Sequence, residues 1–358
     1  MDPRTTPLIQ RAATSSGIKL IFELTNRCNF GCVHCIRSED GPHHDLPLTI
    51  VNKVLTEVQA YQPVNLIAFT GGEPTLHPQF AEIVELVACA RYSFTFVTNG
   101  WNFSQTFAKI QAWKSSLERV SLSLDGASET THDTLRRQPG SFRRLMQAVS
   151  LCHVQGVPVQ LNMVVTHANR DELEAMAILA SRLGCAALGY GHCQPTHDAL
   201  AANLVLNARE RRNVETDIAA LQQMFTMPIL LAGDHYTASR FGQCSQLQMQ
   251  EFNIDYRGNL TACCTLSNYR GGTSETDVLA DLHGVSFVEA HRRLITKIAQ
   301  INLERLERLA TSSPTEAEQF LCTHCLLHYQ KVPQLTHILE PPSRRSVAPT
   351  EEASHARA

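Results

Sequence analysis

The sequence lacks any long apolar run. In 358 residues, no stretch of about 18 apolar residues could cross a membrane as a helix, and residues 1–17 lack the apolar core of a secretion signal. With a formal net charge of −3, the chain has no excess of positive charge that would attract nucleic acid or an anionic membrane. There is no internal repeat. These absences predict a cytoplasmic protein whose partners are neither membranes nor nucleic acids.

The chain does have a large apolar fraction and many cysteines. Hydrophobic residues make up 43% of it, enough to bury the core of one large domain and a smaller one. We expect the large domain over 18–230, the smaller one over 231–330, an extension at 1–17 and a disordered tail at 331–358. Twelve cysteines in a chain without an export signal indicate metal or catalytic use rather than disulfides.

Three of these cysteines lie close together behind the first apolar run. Cys28, Cys32 and Cys35 follow a predicted strand at 20–24 with the spacing C-x3-C-x2-C. Three thiolates on one tight loop can hold three irons of a [4Fe-4S] cluster and leave the fourth iron open. An open position is typical of catalytic rather than structural metal sites. Considered alone, the triplet could also be a zinc knuckle or three unrelated core cysteines.

Strands alternate with helical stretches over the first half of the chain. Runs with strand character are predicted at 20–24, 65–69, 94–98, 120–124, 157–165 and 185–190. The alternation indicates βα units and a parallel sheet. In a (β/α) barrel, functional residues gather at the C-terminal ends of the strands. The cysteine loop and the sequence Gly71-Gly72-Glu73 both follow such ends.

Together, these motifs resemble the radical S-adenosylmethionine (SAM) enzyme superfamily. The resemblance implies an α/β fold with a partial (β/α)6 TIM-like barrel, and a [4Fe-4S] cluster whose open iron chelates the amino and carboxylate groups of SAM. Gly71, Gly72 and Glu73 match the family's GGE motif, which grips the SAM amino group. His34 takes the place of the aromatic residue that usually precedes the last cysteine.

The same resemblance assigns three more residues to SAM binding. Ser123 and Asn162 match a serine and an asparagine on adjacent strands that contact the ribose. Arg136 matches an arginine that meets the SAM carboxylate, although the neighbouring Arg137 is an alternative match to the same arginine. Without the resemblance, each of these would be an ordinary residue of a solvated turn or a helix start.

A second group of cysteines lies in the last third of the chain. It consists of Cys244, Cys263 and the C-x2-C pair Cys322 and Cys325. Segment 251–264 indicates two short strands joined by an Arg-Gly-Asn turn, and such a hairpin would bring Cys244 and Cys263 together. Four cysteines can close a tetrahedral thiolate site. By chemistry alone, a structural zinc ribbon is therefore an alternative to an iron–sulfur cluster.

In the context of the first motif, this second group resembles the SPASM or Twitch extension of radical SAM enzymes. That extension begins with C-x(9–15)-G-x4-C, which residues 244–263 satisfy with Gly258. The resemblance implies one auxiliary [4Fe-4S] cluster held by the four cysteines, because too few follow for the two clusters of the full SPASM form. A β-hairpin plus a helix at about 285–309 would form this extension.

The resemblance also implies the activity. Reduced by a flavodoxin- or ferredoxin-type donor, enzymes of this family cleave SAM to a 5′-deoxyadenosyl radical that abstracts hydrogen from a C–H bond. We expect a peptide or natural-product intermediate as the substrate, modified by crosslinking or oxidation. Dehydrogenation or epimerisation of a sugar or aminocyclitol is the alternative, and a non-catalytic iron–sulfur electron-transfer protein is a third. Residues 1–17 are too short for the leader-binding domain of many peptide-modifying relatives, so we expect a separate leader-binding partner.

Two further cysteines are candidate catalytic residues. Cys264 stands where sulfatase-maturating relatives carry a catalytic aspartate, and Cys193 lies just beyond the sixth predicted strand. A thiol S–H bond is weak enough to give a hydrogen atom to a substrate radical, as in the family's epimerases. Alternatively, Cys264 is a packed neighbour or an alternative ligand of the cluster. Cys89, Cys152 and Cys185 are predicted to be buried core residues.

Overall fold

The computed structural model describes residues 17–37, 42–232, 235–236, 244–270, 275–311 and 319–332. Their strands are β1 (Ile18–Thr25), β2 (Val64–Gly71), β3 (Phe94–Thr98), β4 (Leu117–Ser123), β5 (Val159–Val165), β6 (Ala187–His192), β7 (Ile229–Ala232), β8 (Glu251–Ile254), β9 (Asn259–Thr261) and β10 (Val278–Asp281). They form one sheet in the order β10-β9-β8-β1-β2-β3-β4-β5-β6-β7. The first strand of the chain therefore lies inside the sheet, with the C-terminal strands on one side of it.

The helices connect and cover these strands. In the described residues they are α1 (Leu48–Gln59), α2 (Phe80–Cys89), α3 (Phe103–Ile110), α4 (Glu129–Arg136), α5 (Ser141–Gln155), α6 (Leu173–Arg182), α7 (His197–Ala201), α8 (Ala208–Met224), α9 (Phe287–Thr311) and α10 (Leu321–His328). None of them is long and apolar enough to cross a membrane.

Strands β1 to β6 form the predicted parallel sheet. Each pairs in parallel with the next, and helices lie in the connections between them. The predicted α/β fold with the βα units of a partial barrel is confirmed. A seventh strand, β7, continues the sheet in parallel beyond β6 and was not predicted. Its four residues are too short a run to give a periodic signal.

The two faces of β1 differ in chemistry. Successive side chains of a strand point to opposite faces, and Leu20, Phe22 and Leu24 are fully buried in the main hydrophobic core. Glu23 and Thr25 are also fully buried, but on the face opposite to that core. Polar groups are thus collected on the face where the cysteine loop begins.

The C-terminal segment is built onto the barrel sheet. β8 pairs in parallel with β1, and β8 and β9 form the predicted antiparallel hairpin. The predicted helix at 285–309 is confirmed as α9, which packs against α1. There Lys53 Nζ donates a hydrogen bond to the carbonyl of Val285 at 2.6 Å, and Glu57 accepts one from the backbone N–H of Phe287.

The core cysteines differ from expectation at one position. Cys152 and Cys185 are buried as predicted, but Cys89 is exposed, so that prediction is wrong. Cys89 ends α2 two residues after the buried Val87. At about 100° per residue, this spacing turns it to the opposite side of the helix. The predicted extension at 1–17 and tail at 331–358 lie almost wholly outside the described residues.

Candidate active site and second cysteine centre

The first cysteine loop follows β1 directly. Cys28 is exposed, Cys32 is buried and Cys35 is partly buried, and all three are free thiols. Burial raises the pKa of the Cys32 thiol, Arg136 opposes that rise, and the neighbouring Cys35 adds to it. Three thiolates this close repel one another unless a cation compensates their charge. An iron–sulfur cluster held through three irons fits this donor set.

The glycine doublet at the end of β2 docks against the start of the loop. Gly72 N donates to the Thr25 carbonyl at 2.7 Å, and Glu73 N donates to the Arg27 carbonyl at 2.7 Å. A Cβ added at Gly71 would clash with the Thr25 oxygen, and one at Gly72 would clash with the Arg27 oxygen. Gly71 also has a φ of +136°, which other residues rarely adopt. Both glycines are therefore required for the backbone contact that positions the loop.

Glu73 ties the ends of β2 and β3 together. Its buried Oε1 accepts hydrogen bonds from Thr75 N at 3.2 Å, Thr75 Oγ1 at 2.7 Å and Thr98 Oγ1 at 2.8 Å, and its Oε2 accepts one from Asn99 N at 2.8 Å. Burial raises the pKa of Glu73, and these donors oppose the rise. Oε1 accepts three of these four hydrogen bonds and Oε2 accepts one, so Oε2 is the less occupied of the two oxygens.

Asp125 is a charged hub beneath the loop. It is fully buried directly after β4, and its Oδ2 lies 3.1 Å from His34 Nε2 and 2.6 Å from Arg136 Nε. Its Oδ1 accepts a hydrogen bond from Val164 N at 2.9 Å. Burial disfavours the charged form, but Arg136 and then His34 hold the pKa of Asp125 well below its usual range. Arg136 also lies with a guanidinium nitrogen 3.8 Å from Cys32 Sγ. Asp125 is therefore linked to the cysteine loop at His34 directly and at Cys32 through Arg136.

This geometry separates the two candidate arginines. Arg136 turns toward the loop, whereas Arg137 ends α4 in a left-handed conformation with a φ of 50°. Sequence reasoning missed Asp125, although its position directly after a strand was a usable signal. Contact of Arg136 with the SAM carboxylate stays a prediction.

Ser123 and Asn162 lie side by side. They are register partners on the parallel strands β4 and β5, so their side chains share one face of the sheet. Asn162 Oδ1 accepts a hydrogen bond from Gln160 Nε2 at 2.8 Å. Adjacent donors and acceptors at a strand end suit a ribose, and the predicted contact to SAM remains untested.

The four C-terminal cysteines line one cavity. It is bounded by the start of α10, by α9 and by the segments around the hairpin. Thr265 N donates to Cys263 Sγ at 3.3 Å. The cysteines are Cys244, Cys263, Cys322 and Cys325. The structure thus brings together the set that the sequence predicted from separate segments.

The spacing of these thiols bears on the metal. Across the described residues, no three His, Cys, Asp or Glu side chains converge closely enough to hold a single ion. A zinc ion with Zn–S bonds of about 2.3 Å needs sulfurs only about 4 Å apart. A [4Fe-4S] cluster binds its four ligands through four different irons and separates them further. Four cysteines around one cavity supply enough ligands for a cluster or for a zinc ion.

Cys264 faces away from that cavity. Its neighbour Cys263 lines it, while the charged groups that act on Cys264 are those of Arg37, Glu251 and Lys19. A hydrogen bond from Cys263 lowers the pKa of Cys264 against the effect of burial, and Arg37 lowers it further. A Cys263 thiolate bound to iron would have no proton to donate, which leaves Arg37 as the nearest stabilising charge.

Arg37 joins the two cysteine sites. It follows Cys35, forms a bridge with Tyr269, and donates to the carbonyl of Ser267. Its guanidinium lies 3.1 Å from the buried carboxylate of Glu23. Ser267 Oγ also donates to that carboxylate at 3.1 Å. The segment after the first cysteine loop is thereby attached to the segment after Cys264.

Cys193 lies in a different environment. It is 1% exposed and packs in a small apolar cluster with Leu135, Ala199 and Leu204, on which Val33 of the cysteine loop also rests. Burial raises the pKa of the Cys193 thiol to about 12. In this structure, Cys193 is part of the support beneath the loop.

Comparison with known proteins gives one family and several relatives. Residues 22–180 match the model of the Radical SAM superfamily. The AdoMet-dependent heme synthase of Methanosarcina barkeri (strain Fusaro / DSM 804) is 30% identical over 188 residues, 52% of this chain and 53% of that protein. The mycofactocin maturase MftC of Mycolicibacterium smegmatis (strain ATCC 700084 / mc(2)155) is 33% identical over 170 residues, 47% of this chain and 42% of that protein. The chain spans about half the length of the curated relatives it matches.

Among solved structures, SuiB of Streptococcus suis bound to S-adenosylmethionine has a similar fold. The TM-score is 0.62 at 13% sequence identity, over 76% of this chain and 65% of that one. SuiB has also been solved bound to its precursor peptide SuiA. At this identity, the similarity shows the shared fold.

Proposed function

Because the chain carries a radical SAM domain at residues 22–180, we propose that it cleaves SAM reductively and modifies a C–H bond of a peptide or natural-product intermediate. The observation that carries the proposal is the three-cysteine loop at the end of β1, docked by a glycine doublet and held from below by Asp125. When bound, the [4Fe-4S] cluster and SAM supply a 5′-deoxyadenosyl radical. A flavodoxin- or ferredoxin-type protein of the cytoplasm supplies the electron.

The protein's own share is to bind and orient SAM. Glu73 accepts the ammonium group through Oε2, the less occupied of its two oxygens, beside the backbone of Gly71 and Gly72. Ser123 and Asn162 bind the ribose from adjacent strands. These contacts fix the position at which the radical forms, and orientation of this kind can lower a barrier by several kcal/mol.

Arg136 has two roles in this proposal. Its ion pair with Asp125 and its approach to Cys32 hold the loop, and the rest of its guanidinium meets the SAM carboxylate. An arginine can do both, because its planar group carries five donors.

A second [4Fe-4S] cluster occupies the C-terminal cavity. Its ligands are Cys244, Cys263, Cys322 and Cys325, which line that cavity together, and the resemblance of their sequence pattern to the Twitch extension favours a cluster over zinc. When bound there by the four cysteines, such a cluster would supply an electron acceptor for an oxidation.

A peptide is the favoured substrate class. The mycofactocin maturase is similar in sequence, and SuiB, which is similar in fold, binds a precursor peptide. A separate leader-binding protein would present such a peptide. The heme synthase is a relative of comparable similarity, which keeps dehydrogenation or epimerisation of a small molecule as the second candidate.

Cys264 is the better of the two candidate hydrogen donors for an epimerisation. It lies on the side of the hairpin that faces the Glu23–Arg37 pair, whereas Cys193 is enclosed by apolar side chains. Cys264 would give its hydrogen atom to the substrate radical. The thiyl radical would then take one electron from the reduced donor and a proton from water.

The first experiment tests SAM cleavage. Anaerobically reconstituted protein with dithionite should form 5′-deoxyadenosine, and the triple variant Cys28→Ala, Cys32→Ala, Cys35→Ala should form none. Formation of 5′-deoxyadenosine by the triple variant would remove this assignment of the active site.

The second experiment separates oxidation from epimerisation. Turnover in deuterated water should place one deuterium in an epimerised product, and Cys264→Ser should stop product formation while SAM cleavage continues. Cys89→Ser, at an exposed cysteine of α2, is the matched control and should turn over normally. A product oxidised by two electrons, without solvent deuterium, would instead make the auxiliary cluster the electron acceptor.

A further inference from the structure

Two side chains that line the C-terminal cavity hold buried polar atoms with no hydrogen-bond partner among the described residues. They are the amide of Gln246, with both Nε2 and Oε1, and the hydroxyl of Tyr329. Gln246 is 6% exposed and Tyr329 is 2% exposed. Proteins rarely leave such groups unpaired, and each case in a native structure requires an explanation.

The other residues that line the cavity offer few hydrogen-bond partners to Gln246 and Tyr329. Apart from the cysteines and Thr265, it is apolar. The apolar residues are Leu247, Ala262, Leu266, Ile298, Ile301 and Leu321. An amide N–H and a neutral tyrosine O–H are hydrogen-bond donors. The Nε2 donor of Gln246 and the hydroxyl donor of Tyr329 each require an acceptor.

The backbone around the cavity already donates to sulfur. Cys244 Sγ accepts from the N–H groups of Leu247 and Gln246, and Cys263 Sγ accepts from Thr265 N at 3.3 Å. Donors directed at thiolates and sulfides are the interactions that tune an iron–sulfur cluster. The side chains of Gln246 and Tyr329 extend this arrangement to the interior of the cavity.

We propose that Tyr329 and Gln246 donate hydrogen bonds to sulfur atoms of the auxiliary cluster and thereby raise its reduction potential. This inference rests on the proposed function, because it takes the auxiliary cluster as bound. A reduced cluster carries one more negative charge than the oxidised one, so a donor at its sulfurs stabilises the reduced state more. The two residues are positioning groups around the cluster and do not act on the substrate.

The test measures the potential of the auxiliary cluster alone. The background is the chain with Cys28, Cys32 and Cys35 replaced by alanine, which leaves the C-terminal site as the one cluster. Into it are introduced Tyr329→Phe, which removes the hydroxyl and keeps the ring, and Gln246→Met, which removes the amide at similar volume. The midpoint potential is read from the EPR signal during a redox titration, with iron and sulfide content measured for each sample.

Each substitution should shift the reduction equilibrium about tenfold toward the oxidised cluster. For a one-electron couple, this is a midpoint about 59 mV more negative. Tyr256→Phe is the matched control, because its hydroxyl bonds to Asn268 at 3.0 Å and does not line the cavity. The control should leave the potential unchanged.

A spectroscopic measurement covers the case in which a variant fails to load. In deuterated water, pulsed EPR of the background protein should detect exchangeable deuterons coupled to the reduced cluster, and Tyr329→Phe should remove one of them. Loaded clusters with unchanged potentials in both variants, or no coupled side-chain deuteron, would overturn the inference and leave the cluster assignment intact. Absence of iron and sulfide from the background protein would overturn the inference and the auxiliary cluster together.

Discussion

The first cysteine site takes three ligands from one loop, 28–35, whereas the second collects four from three separate segments. Buried charge surrounds the first site, where Asp125 is fully buried beside Arg136. The second is lined mainly by apolar side chains, with Gln246 and Tyr329 as donors that have no partner in the part of the chain that the structure describes.

The difference separates two ways of holding a cluster. Backbone contacts and ion pairs fix the first loop without help from a cofactor, as the proposed binding and release of SAM would require. The second site has buried donors without a partner among the described residues, which we propose bond to a bound group. We therefore expect the first site to be sensitive to changes in backbone and charge, and the second to changes in its ligands.

The largest expected effect is at the backbone contact of the first site. Gly72→Ala places a Cβ against the Arg27 carbonyl and should move the cysteine loop. A displacement of this size should lower the rate of SAM cleavage about a hundredfold. Gly31→Ala, in the same loop, has no atom within 4 Å of its added Cβ and is the matched control. Equal rates of SAM cleavage by the two variants would show that the contact of Gly72 with the Arg27 carbonyl does not position the cysteine loop.

The next effect is on stability. Asp125→Asn leaves Arg136 buried without its counter-charge and should lower the free energy of unfolding by about 3–5 kcal/mol, measured by denaturant titration. Asp171→Asn, at a side chain that is 97% exposed, should change it by less than about 0.5 kcal/mol. If Asp125→Asn lowers the free energy of unfolding no more than Asp171→Asn does, the ion pair of Asp125 with Arg136 does not stabilise the fold as we expect.

The pH dependence of stability follows from the same ion pair, Asp125 with Arg136. Arg136 and His34 hold the pKa of Asp125 below its usual value, so its stabilisation is present above about pH 4 and is lost as the pH falls further. Asp125→Asn should therefore flatten the acid limb of the stability curve. An unchanged acid limb would show that other carboxyl groups determine it.

Glu23, between the two cysteine sites, should have the opposite effect on the pH dependence of stability. Burial raises its pKa to about 7, although Arg37 opposes the rise. The folded chain then binds more protons than the unfolded one, and stability should fall as the pH rises from about 4.5 to 7. Glu23→Gln should remove that decline in a series of thermal unfolding curves. If the decline persists in the variant, Glu23 is not its source.

Local patterns in the sequence predicted much of this architecture. The strands β1 to β6, the hairpin and α9 followed from periodicity and turn residues. The resemblance to radical SAM enzymes followed from the cysteine spacing with the GGE motif, and residues 22–180 match the model of that superfamily. The grouping of Cys244 with the C-x2-C pair depended on the resemblance, because 58 residues separate Cys263 from Cys322.

What could not be predicted depends on contacts between distant segments. The pairing of Asp125 with His34 joins a strand end to a loop far away in the sequence, and that of Glu23 with Arg37 needs the hairpin to cover it. The docking role of Gly72 depends on how closely the Arg27 carbonyl approaches, which no local pattern encodes.

The central claim is that the chain holds two separate iron–sulfur clusters, and metal analysis tests it most directly. The triple variant Cys28→Ala, Cys32→Ala, Cys35→Ala should retain about four irons and four acid-labile sulfides per chain after anaerobic reconstitution, as one [4Fe-4S] cluster on four cysteines requires. Zinc without acid-labile sulfide in this variant would contradict the account and make the C-terminal site a zinc ribbon.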